Sequence, residues 1–313
     1  MTIKVDVVIP TRNRSHRLLR VVEPLLEDAS VNRLVVVNDA ADGTVQSLRA
    51  LLPERVEIIC AGGVGPAQAR QAGAAICDAE VLLFVDDDVV PERRLATRHA
   101  RYHEHGGRLL VCGYTPIVTT NGALSAEASV YGDSYERRCE QYDLAGVNVL
   151  THLWGGNFSL RRSDAVAVGL SSADFTEPWH EDRDFGLRCL EAGLEAIFDR
   201  GTRANHEYER AWSEVARESY RRGYSLAVLH HLHQPLIGSI DERCFEQGRS
   251  LPLRLAVRLL SRRPWNRPAL GGLHLLRWLG GRLGLRGLEL KSVRMLRLIQ
   301  NTAGARDALE ALG

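Results

Sequence analysis

The sequence predicts an α/β fold with a mostly parallel central sheet, followed by a region made of helices. Two observations predict it. Over the first hundred residues short β-branched runs alternate with helix-like stretches, and beyond His206 only helical patterns remain, interrupted by prolines and a Gly-Gly pair. Strands that alternate with helices at this interval pair in parallel through right-handed crossovers. We therefore predict an α/β domain over residues 1–208 and a helical C-terminal region over 209–313.

The predicted strands are short runs rich in Val, Ile and Leu, and helical spacing separates them. The strands span residues 5–9, 34–37, 56–60, 81–85, 109–114, 116–119 and 194–198. Predicted helices start after Ser15 and cover residues 48–52, 67–76, 91–102 and 181–192. The pattern weakens over residues 120–143, where we predict a long loop over the site.

Polar residues follow several of these strands directly. Ligands of parallel sheets bind at the carboxyl ends of the strands, so residues at those ends are expected to share one crevice. They are Asn13, Asp39, Gly65 and Asp86.

Composition limits the class of protein. With 313 residues and 45% hydrophobic content, the chain can bury a full core, and its net charge of +1 predicts no general attraction to nucleic acid. The six cysteines show no CxxC pair and no zinc-finger spacing. The start of the chain lacks a signal-peptide pattern, and no run reaches about 18 apolar residues. We therefore expect a cytoplasmic protein.

The charge is distributed unevenly. Residues 249–297 contain twelve Lys or Arg against one acid, which gives +11 there and −10 elsewhere. Leucines accompany these arginines at helical spacing. Such helices can lie on an anionic membrane surface, here the inner face of the membrane. They can equally dock on the catalytic domain or on a second subunit as a homo-oligomer, and the arginines can also bind an anionic acceptor.

Three consecutive acids, Asp86 to Asp88, directly follow the apolar run 81–85. Adjacent carboxylates repel one another unless a cation or hydrogen-bond donors lie among them. On an extended backbone Asp86 and Asp88 would point to one side and Asp87 to the other. Two such oxygen ligands suit Mg²⁺ or Mn²⁺ bound together with substrate phosphates. The alternative is a solvated acidic turn that closes a strand.

Other nucleotide or metal motifs are not supported. The stretch from Gly63 to Gln68 lacks the third glycine of a dinucleotide fingerprint, and no Walker loop occurs. The triplet is not an EF-hand loop either, because Pro91 occupies the position where that loop requires glycine.

Six segments resemble, in order, the landmarks of family 2 glycosyltransferases with the GT-A fold. They are residues 7–14, 36–39, 65–73, 84–91, 155–157 and 181–182. One departure concerns the second segment, where Asn38-Asp39-Ala40-Ala41 replaces the two aspartates and Gly-Ser that the family commonly has. The resemblance implies metal-dependent, inverting transfer of a sugar from a UDP-, dTDP- or GDP-linked donor to an acceptor hydroxyl.

The resemblance also implies a donor site and a metal site. The donor-binding residues would be Pro10, Thr11, Arg14, Asp39, Gly65, Arg70, Asp86 and Asp87. The metal, Mg²⁺ or Mn²⁺, would be held by Asp88, Asp86 and His206. Two of these residues can have a purely structural role instead. Arg70 can be a solvated helix arginine, and His206 can be a polar surface or core histidine.

A general base must take the proton of the acceptor hydroxyl as it attacks the anomeric carbon. We predict Asp182 for this role, with Glu181 second, although acids at a helix start also occur because the helix dipole favours them. Residues predicted to contact the acceptor or sugar are Trp154, Gly155, Gly156, Asn157 and Trp179.

Two other functions stay open at this stage: a nucleotidyltransferase on a related fold, and a catalytically silent binding protein for nucleotides or glycans. The acceptor is also open. It can be a lipid carrier, a glycan, a peptide or a small metabolite.

Overall fold

A computed structural model of the chain describes residues 3–12, 15–40, 44–119, 122–177, 179–241, 244–245 and 248–313. The chain divides into two compact units. The sheet unit comprises Met1–Val118, Tyr135–Thr176 and Glu181–Glu207. The helical unit comprises Thr119–Ser134, Glu177–His180 and Tyr208–Gly313. Two short segments ahead of residue 208 therefore belong to the helical unit.

Eight strands of the described chain form one mixed sheet in the order β3-β2-β1-β4-β7-β6-β8-β5. They are β1 (Val5–Thr11), β2 (Val31–Asn38), β3 (Val56–Cys60), β4 (Val81–Val85), β5 (Val89–Pro91), β6 (Leu109–Tyr114), β7 (Asn157–Arg161) and β8 (Glu195–His206). Strands β1 to β4 pair in parallel, and β6 pairs in parallel with β8. Strands β7 and β5 pair antiparallel with their neighbours. The predicted α/β fold with a mostly parallel sheet is confirmed.

The central strands are buried on both faces because helices cover each side. Along β4, Leu82 and Phe84 pack into one apolar cluster with helices α3 (Pro66–Ala75) and α7 (Glu181–Glu191). Val81, Leu83 and Val85 pack into a second cluster with α1 (Ser15–Leu26) and α4 (Leu95–Tyr102). This alternation is what a pleated strand imposes on successive side chains. Its continuous apolar composition is typical of a covered parallel sheet. The helices begin and end as follows: α1 (Ser15–Leu26), α2 (Thr44–Leu51), α3 (Pro66–Ala75), α4 (Leu95–Tyr102), α5 (Ala126–Tyr142), α6 (Arg162–Val168) and α7 (Glu181–Glu191).

Helix α5 occupies the segment where the sequence predicts a loop, and that prediction is wrong. The Ser125 hydroxyl accepts a hydrogen bond from the Ala128 amide (3.0 Å) near the start of the helix. The buried side of the helix is formed mainly by small residues and tyrosines, with Val130 as its one buried aliphatic residue larger than alanine, so its hydrophobic period is weak. Those residues are Ala126, Val130, Tyr131, Tyr135, Cys139 and Tyr142.

Two further predictions need correction. The predicted helix over residues 91–102 begins only at Leu95, because Pro91 belongs to β5, which pairs with β8. The predicted strand over residues 116–119 is reduced to one bridge between Ile117 and His206.

The helical unit contains α8 (Trp212–Leu232), α9 (Gln234–Ile237), α10 (Leu251–Leu260), α11 (Asn266–Arg282) and α12 (Arg286–Leu312). Helices α8 and α12 cross closely at glycines. A Cβ on Gly223 would lie 2.0 Å from the Asn301 carbonyl oxygen, and one on Gly304 would lie 1.9 Å from that of Tyr220. Within the described ranges, no helix combines the length and apolar character needed to cross a membrane.

Candidate active site

The three consecutive acids lie in a turn between β4 and β5. The amide of Val89 donates to the Asp86 carbonyl (3.1 Å), which closes the turn. The alternation of side chains that an extended backbone would impose therefore does not apply to this segment. Each carboxylate instead has its own surroundings.

The first two carboxylates contact different strand and helix residues. Asp86 Oδ1 accepts a hydrogen bond from the guanidinium of Arg70 in α3 (2.7 Å). Asp87 Oδ2 accepts one from the Thr11 hydroxyl at the end of β1 (2.8 Å), and this contact is buried. The carboxyl ends of β1 and β4 thus meet at the turn, as the sheet topology predicts.

Asp88 lies beside His206 because β5 pairs with β8. Val89 is directly opposite His206, and the Glu207 amide donates to the Asp88 carbonyl (2.9 Å). Asp88 Oδ1 is 3.5 Å from His206 Nε2, and both side chains are largely buried. Two ligands of one Mg²⁺ or Mn²⁺ ion at about 2.1 Å are separated by roughly 3 Å at right angles. The pair therefore fits two positions of a divalent cation.

Among the residues that the structure describes, no third side chain completes a protein-only metal site. Across the described residues, no group of three or more His, Cys, Asp or Glu is placed to hold a metal ion. Mg²⁺ usually keeps several waters and is bound by one or two carboxylates together with substrate phosphates. A two-residue site is consistent with that mode of binding.

Asp39, at the end of β2, holds the glycine loop that precedes α3. Its Oδ1 accepts from the Val64 amide (2.7 Å) and its Oδ2 from the Gly65 amide (3.0 Å). Gly65 has φ of 95°, a left-handed conformation that glycine adopts at little cost. Each carboxylate oxygen can accept a second hydrogen bond, so Asp39 retains the capacity to accept from a nucleotide base.

Arg70 contacts both the acidic triplet, at Asp86, and the acid pair Glu181-Asp182 at the start of α7. Besides Asp86, its guanidinium lies 3.8 Å from Glu181 Oε1 at the start of α7, and its side chain is only 7% exposed. Burial lowers the pKa of Arg70, but attraction to Asp86 and Glu181 outweighs it and leaves this pKa above its ordinary value. The alternative of a solvated helix arginine is thereby excluded for Arg70.

A two-glycine turn separates the triplet from the acid pair. The Gly155 amide donates to Asp182 Oδ2 (2.9 Å), and the Gly156 carbonyl accepts from the Asp86 amide (3.1 Å). A Cβ on Gly155 would lie 2.8 Å from Asp182 Cβ, and one on Gly156 would lie 3.3 Å from Asp86 Oδ2. Only residues without a side chain allow both acids to approach the turn this closely.

Burial raises the pKa of both acids of the pair. Asp182 Oδ1 and Oδ2 accept from the Arg183 and Gly155 amides, which partly offset the effect of burial on the Asp182 pKa. Burial and then the charge of Asp182 raise the pKa of Glu181 to about 8. Two interacting carboxylates titrate as a pair. At neutral pH the Glu181 carboxyl therefore keeps its proton.

The structure places the other predicted residues as follows. Pro10 is buried in β1, and the half-buried Trp154 ring lies edge-on to Tyr135, with 5.1 Å between ring centroids. Trp179 belongs to the helical unit, where its ring centroid is 5.8 Å from the guanidinium carbon of Arg222. Arg14, like Asn13, lies outside the described residues.

Asn157 is fully buried within the sheet, so its geometry gives no support to the predicted sugar contact. Its amide donates to the Thr202 carbonyl (2.9 Å), and its Oδ1 is 3.0 Å from His99 Nε2. Ser159, from the same strand, lies within hydrogen-bond distance of both His99 and His103. This network fixes β7 behind the glycine turn.

Sequence reasoning missed this histidine pair. Burial lowers the pKa of His99 to about 3 and that of His103 to about 4, so both rings are neutral at neutral pH. The sequence contains a signal that these histidines are buried. They are four residues apart and therefore lie on the helix face that carries Leu95, Ala96 and Ala100.

The family assignment rests on comparison with known proteins. Residues 6–168, just over half of the chain, match the family model described as glycosyl transferase family 2. The chain therefore belongs to this family, as its motifs predict. A curated relative, the uncharacterized glycosyltransferase YfnE of Bacillus subtilis (strain 168), is 22% identical over 240 residues, and the match covers 61% of this chain and 61% of that protein.

A solved structure shows the same fold. Mannosyltransferase PcManGT from Pyrobaculum calidifontis, in complex with GDP-Man and Mn²⁺, matches 97% of this chain and 87% of its own. The TM-score is 0.56 at 14% sequence identity. This similarity confirms the GT-A-type architecture of the fold.

Proposed function

We propose that this protein transfers a sugar, with inversion, from a nucleoside-diphosphate sugar to an acceptor hydroxyl, with the help of a divalent metal ion. One observation carries the proposal: the turn at Gly155 and Gly156 holds Asp86 on one side and Asp182 on the other. A donor bound at the triplet would thus present its anomeric carbon within a short distance of a charged carboxylate.

Residues at the strand ends account for donor binding. Thr11, Asp39 and the glycine loop border the space at the ends of β1 and β2, where a nucleotide binds in folds of this type. Asp86, which accepts a hydrogen bond from Arg70, would bind the ribose hydroxyls. The second lone pair of each Asp39 oxygen can accept from the base.

Asp88 and His206 would hold the metal ion. When bound, a divalent cation neutralises charge that develops on the departing diphosphate. Neutral imidazole is a less usual ligand for Mg²⁺ than for Mn²⁺, so the side chains favour Mn²⁺.

Asp182 serves as general base. The acceptor oxygen forms a bond to the anomeric carbon while the bond from that carbon to the diphosphate oxygen breaks, and the acceptor proton passes to Asp182. A single displacement of this kind inverts the anomeric centre. Glu181 stays protonated beside it, which keeps a second negative charge away from the diphosphate.

Thermal-shift measurements with UDP-, dTDP- and GDP-linked sugars test the proposal. GDP-mannose is included because PcManGT binds it. A donor that binds the folded state raises Tm in proportion to the logarithm of its concentration over Kd. We expect one nucleotide class to raise Tm with Mn²⁺ and to lose this effect with EDTA.

Two variants accompany the measurement. Asp88→Asn is expected to require more Mn²⁺ for the same shift, whereas Asp174→Asn, an exposed acid, is expected to behave as the wild type. Release of sugar from the donor that binds is then measured. If no donor is cleaved or transferred with Mn²⁺ or Mg²⁺ present, the proposal is wrong.

A further inference from the structure

The helical unit exposes an unusual amount of large apolar surface. Of the eighteen large hydrophobic residues that are exposed in the described chain, nine lie between residues 251 and 285. We call this set the α10–α11 surface. It comprises Leu251, Leu255, Leu259, Trp265, Leu275, Leu276, Trp278, Leu283 and Leu285. Apolar residues concentrated in this way mark a surface that contacts a partner or a membrane.

The leucines of α10 form a stripe along one side of the helix. Leu251, Leu255 and Leu259 are spaced by four residues and are 66, 56 and 54% exposed. Residues at this spacing share a helix face. Val257, which points to the opposite side, is fully buried. The helix therefore packs through one face and presents a second apolar face outward.

Arginines border the apolar residues. Residues 249–286 contain nine arginines, no lysine and no acid. Arg254 and Arg258 follow Leu251 and Leu255 by three residues and so flank the leucine stripe. In α11 the guanidinium carbon of Arg282 lies 5.2 Å from the ring centroid of Trp278. Ion pairs within the unit engage Arg277, with Glu127, and Arg286, with Glu289.

We propose that the α10–α11 surface binds the surface of an anionic lipid bilayer, with α10 and α11 parallel to the membrane plane. Leucines and tryptophans would enter the boundary between headgroups and acyl chains, and arginine guanidinium groups would reach the lipid phosphates. Indole rings favour this boundary. The proposal concerns the helical unit and does not depend on the proposed reaction.

Charge argues for lipid over a second copy of the chain. A symmetric contact between two copies would place the same arginine-rich patch against itself. Because the segment from 249 to 286 contains no acid, such a contact would bring arginines of the two copies close together, which is unfavourable. An anionic bilayer supplies both the apolar phase and the opposite charge.

Co-sedimentation of the full chain with vesicles tests the proposal. We expect binding to vesicles with about 30 mol % phosphatidylglycerol, little binding to pure phosphatidylcholine, and weakening at about 0.5 M salt. Trp265 and Trp278 would give a blue shift of tryptophan fluorescence on binding. The double variant Trp265→Phe and Trp278→Phe is expected to bind with a much smaller shift.

A matched pair of variants distinguishes binding through this surface from nonspecific hydrophobic adsorption to vesicles. The triple variant Leu251→Ser, Leu255→Ser and Leu259→Ser is expected to lose about tenfold or more in vesicle affinity. The control, Leu144→Ser with Val166→Ser, removes side chains of the sheet unit that are 61 and 63% exposed and is expected to bind as the wild type. Circular dichroism and donor thermal shift establish that both variants are folded.

Three results would overturn the proposal. One is an absence of binding to anionic vesicles, and another is equal loss of binding in the triple variant and the control. The third is a dimer that the triple variant abolishes, without any vesicle binding, since this would assign the surface to a second copy of the chain.

Discussion

Two groups of adjacent carboxylates face each other across the glycine turn, and they are held in different ways. In the triplet each acid has its own contact: Arg70 for Asp86, Thr11 for Asp87 and His206 for Asp88. In the pair on α7, Glu181 and Asp182 share one buried environment, and burial raises the pKa of both.

The comparison teaches that adjacency in the sequence does not set the charge of a carboxylate. The charge of a carboxylate depends on how well it is solvated and on the hydrogen-bond donors around it. Two backbone amides donate to Asp182 and partly offset the effect of burial on its pKa, whereas burial and the charge of Asp182 raise the pKa of Glu181 to about 8, so Glu181 keeps its proton at neutral pH. The triplet is suited to binding charged ligands, and the pair is suited to moving a proton.

The largest effect is expected for Asp182→Asn, because the amide keeps the shape of the side chain but cannot take a proton. Removing a general base costs about 10²- to 10⁴-fold in rate. Transfer measured at saturating donor should fall by that factor, while donor affinity measured by calorimetry should change little. Turnover equal to the wild type would exclude Asp182 as the base and move the role to Glu181.

Arg70→Met should destabilise the protein, since it leaves the Asp86 carboxylate without the guanidinium that pairs with it. Breaking a partly buried ion pair in this way costs at most about 3 kcal/mol in the free energy of unfolding. Denaturant unfolding measures the loss. The double variant Arg70→Met with Asp86→Asn should recover part of it, because the acid that has lost its cation is then neutral. Strictly additive effects of the two changes would show that Arg70 and Asp86 do not interact.

Gly155→Ala tests the close approach of the turn to the acid pair. The new Cβ would displace Asp182, and overpacking of this kind costs about 1–3 kcal/mol. We expect kcat to fall more than donor affinity. Gly156→Ala is the matched control: its Cβ meets the Asp86 carboxylate at 3.3 Å, which can move, so its effect on kcat should be smaller. The reverse ranking would contradict the assignment.

The effect of Glu181→Gln depends on pH. Folded Glu181 keeps its proton up to about pH 8, whereas the unfolded residue loses it near 4.5. Between these values the folded state binds more protons, so the stability of the wild type falls as pH rises. The variant lacks this loss, so its free energy of unfolding, measured by denaturant unfolding, should gain on that of the wild type from pH 5 to 8 by at most about 1.4 kcal/mol per pH unit. A constant difference would contradict the raised pKa.

Local patterns predicted much of the sheet unit. Strand β4 is a continuous apolar run, and the predictions for residues 56–60 and 81–85 match the observed strands. Helix α5 was not predicted, because its buried face consists mainly of tyrosines and small residues and so shows only a weak hydrophobic period. Strand β5 was not predicted either, because three residues are too few to show a hydrophobic period. They form a strand only through their pairing with β8.

The sequence by itself determined the fold class, the family motifs and the identity of the acids, since these depend on local composition and order. It could not determine which acid meets which partner. Residues such as Arg70 and Glu181 are more than a hundred positions apart, and a contact between them exists only once the sheet, α3 and the glycine turn have packed together. For the same reason, only the tertiary structure decided that Glu181 is the protonated acid and that the leucines of α10 remain exposed.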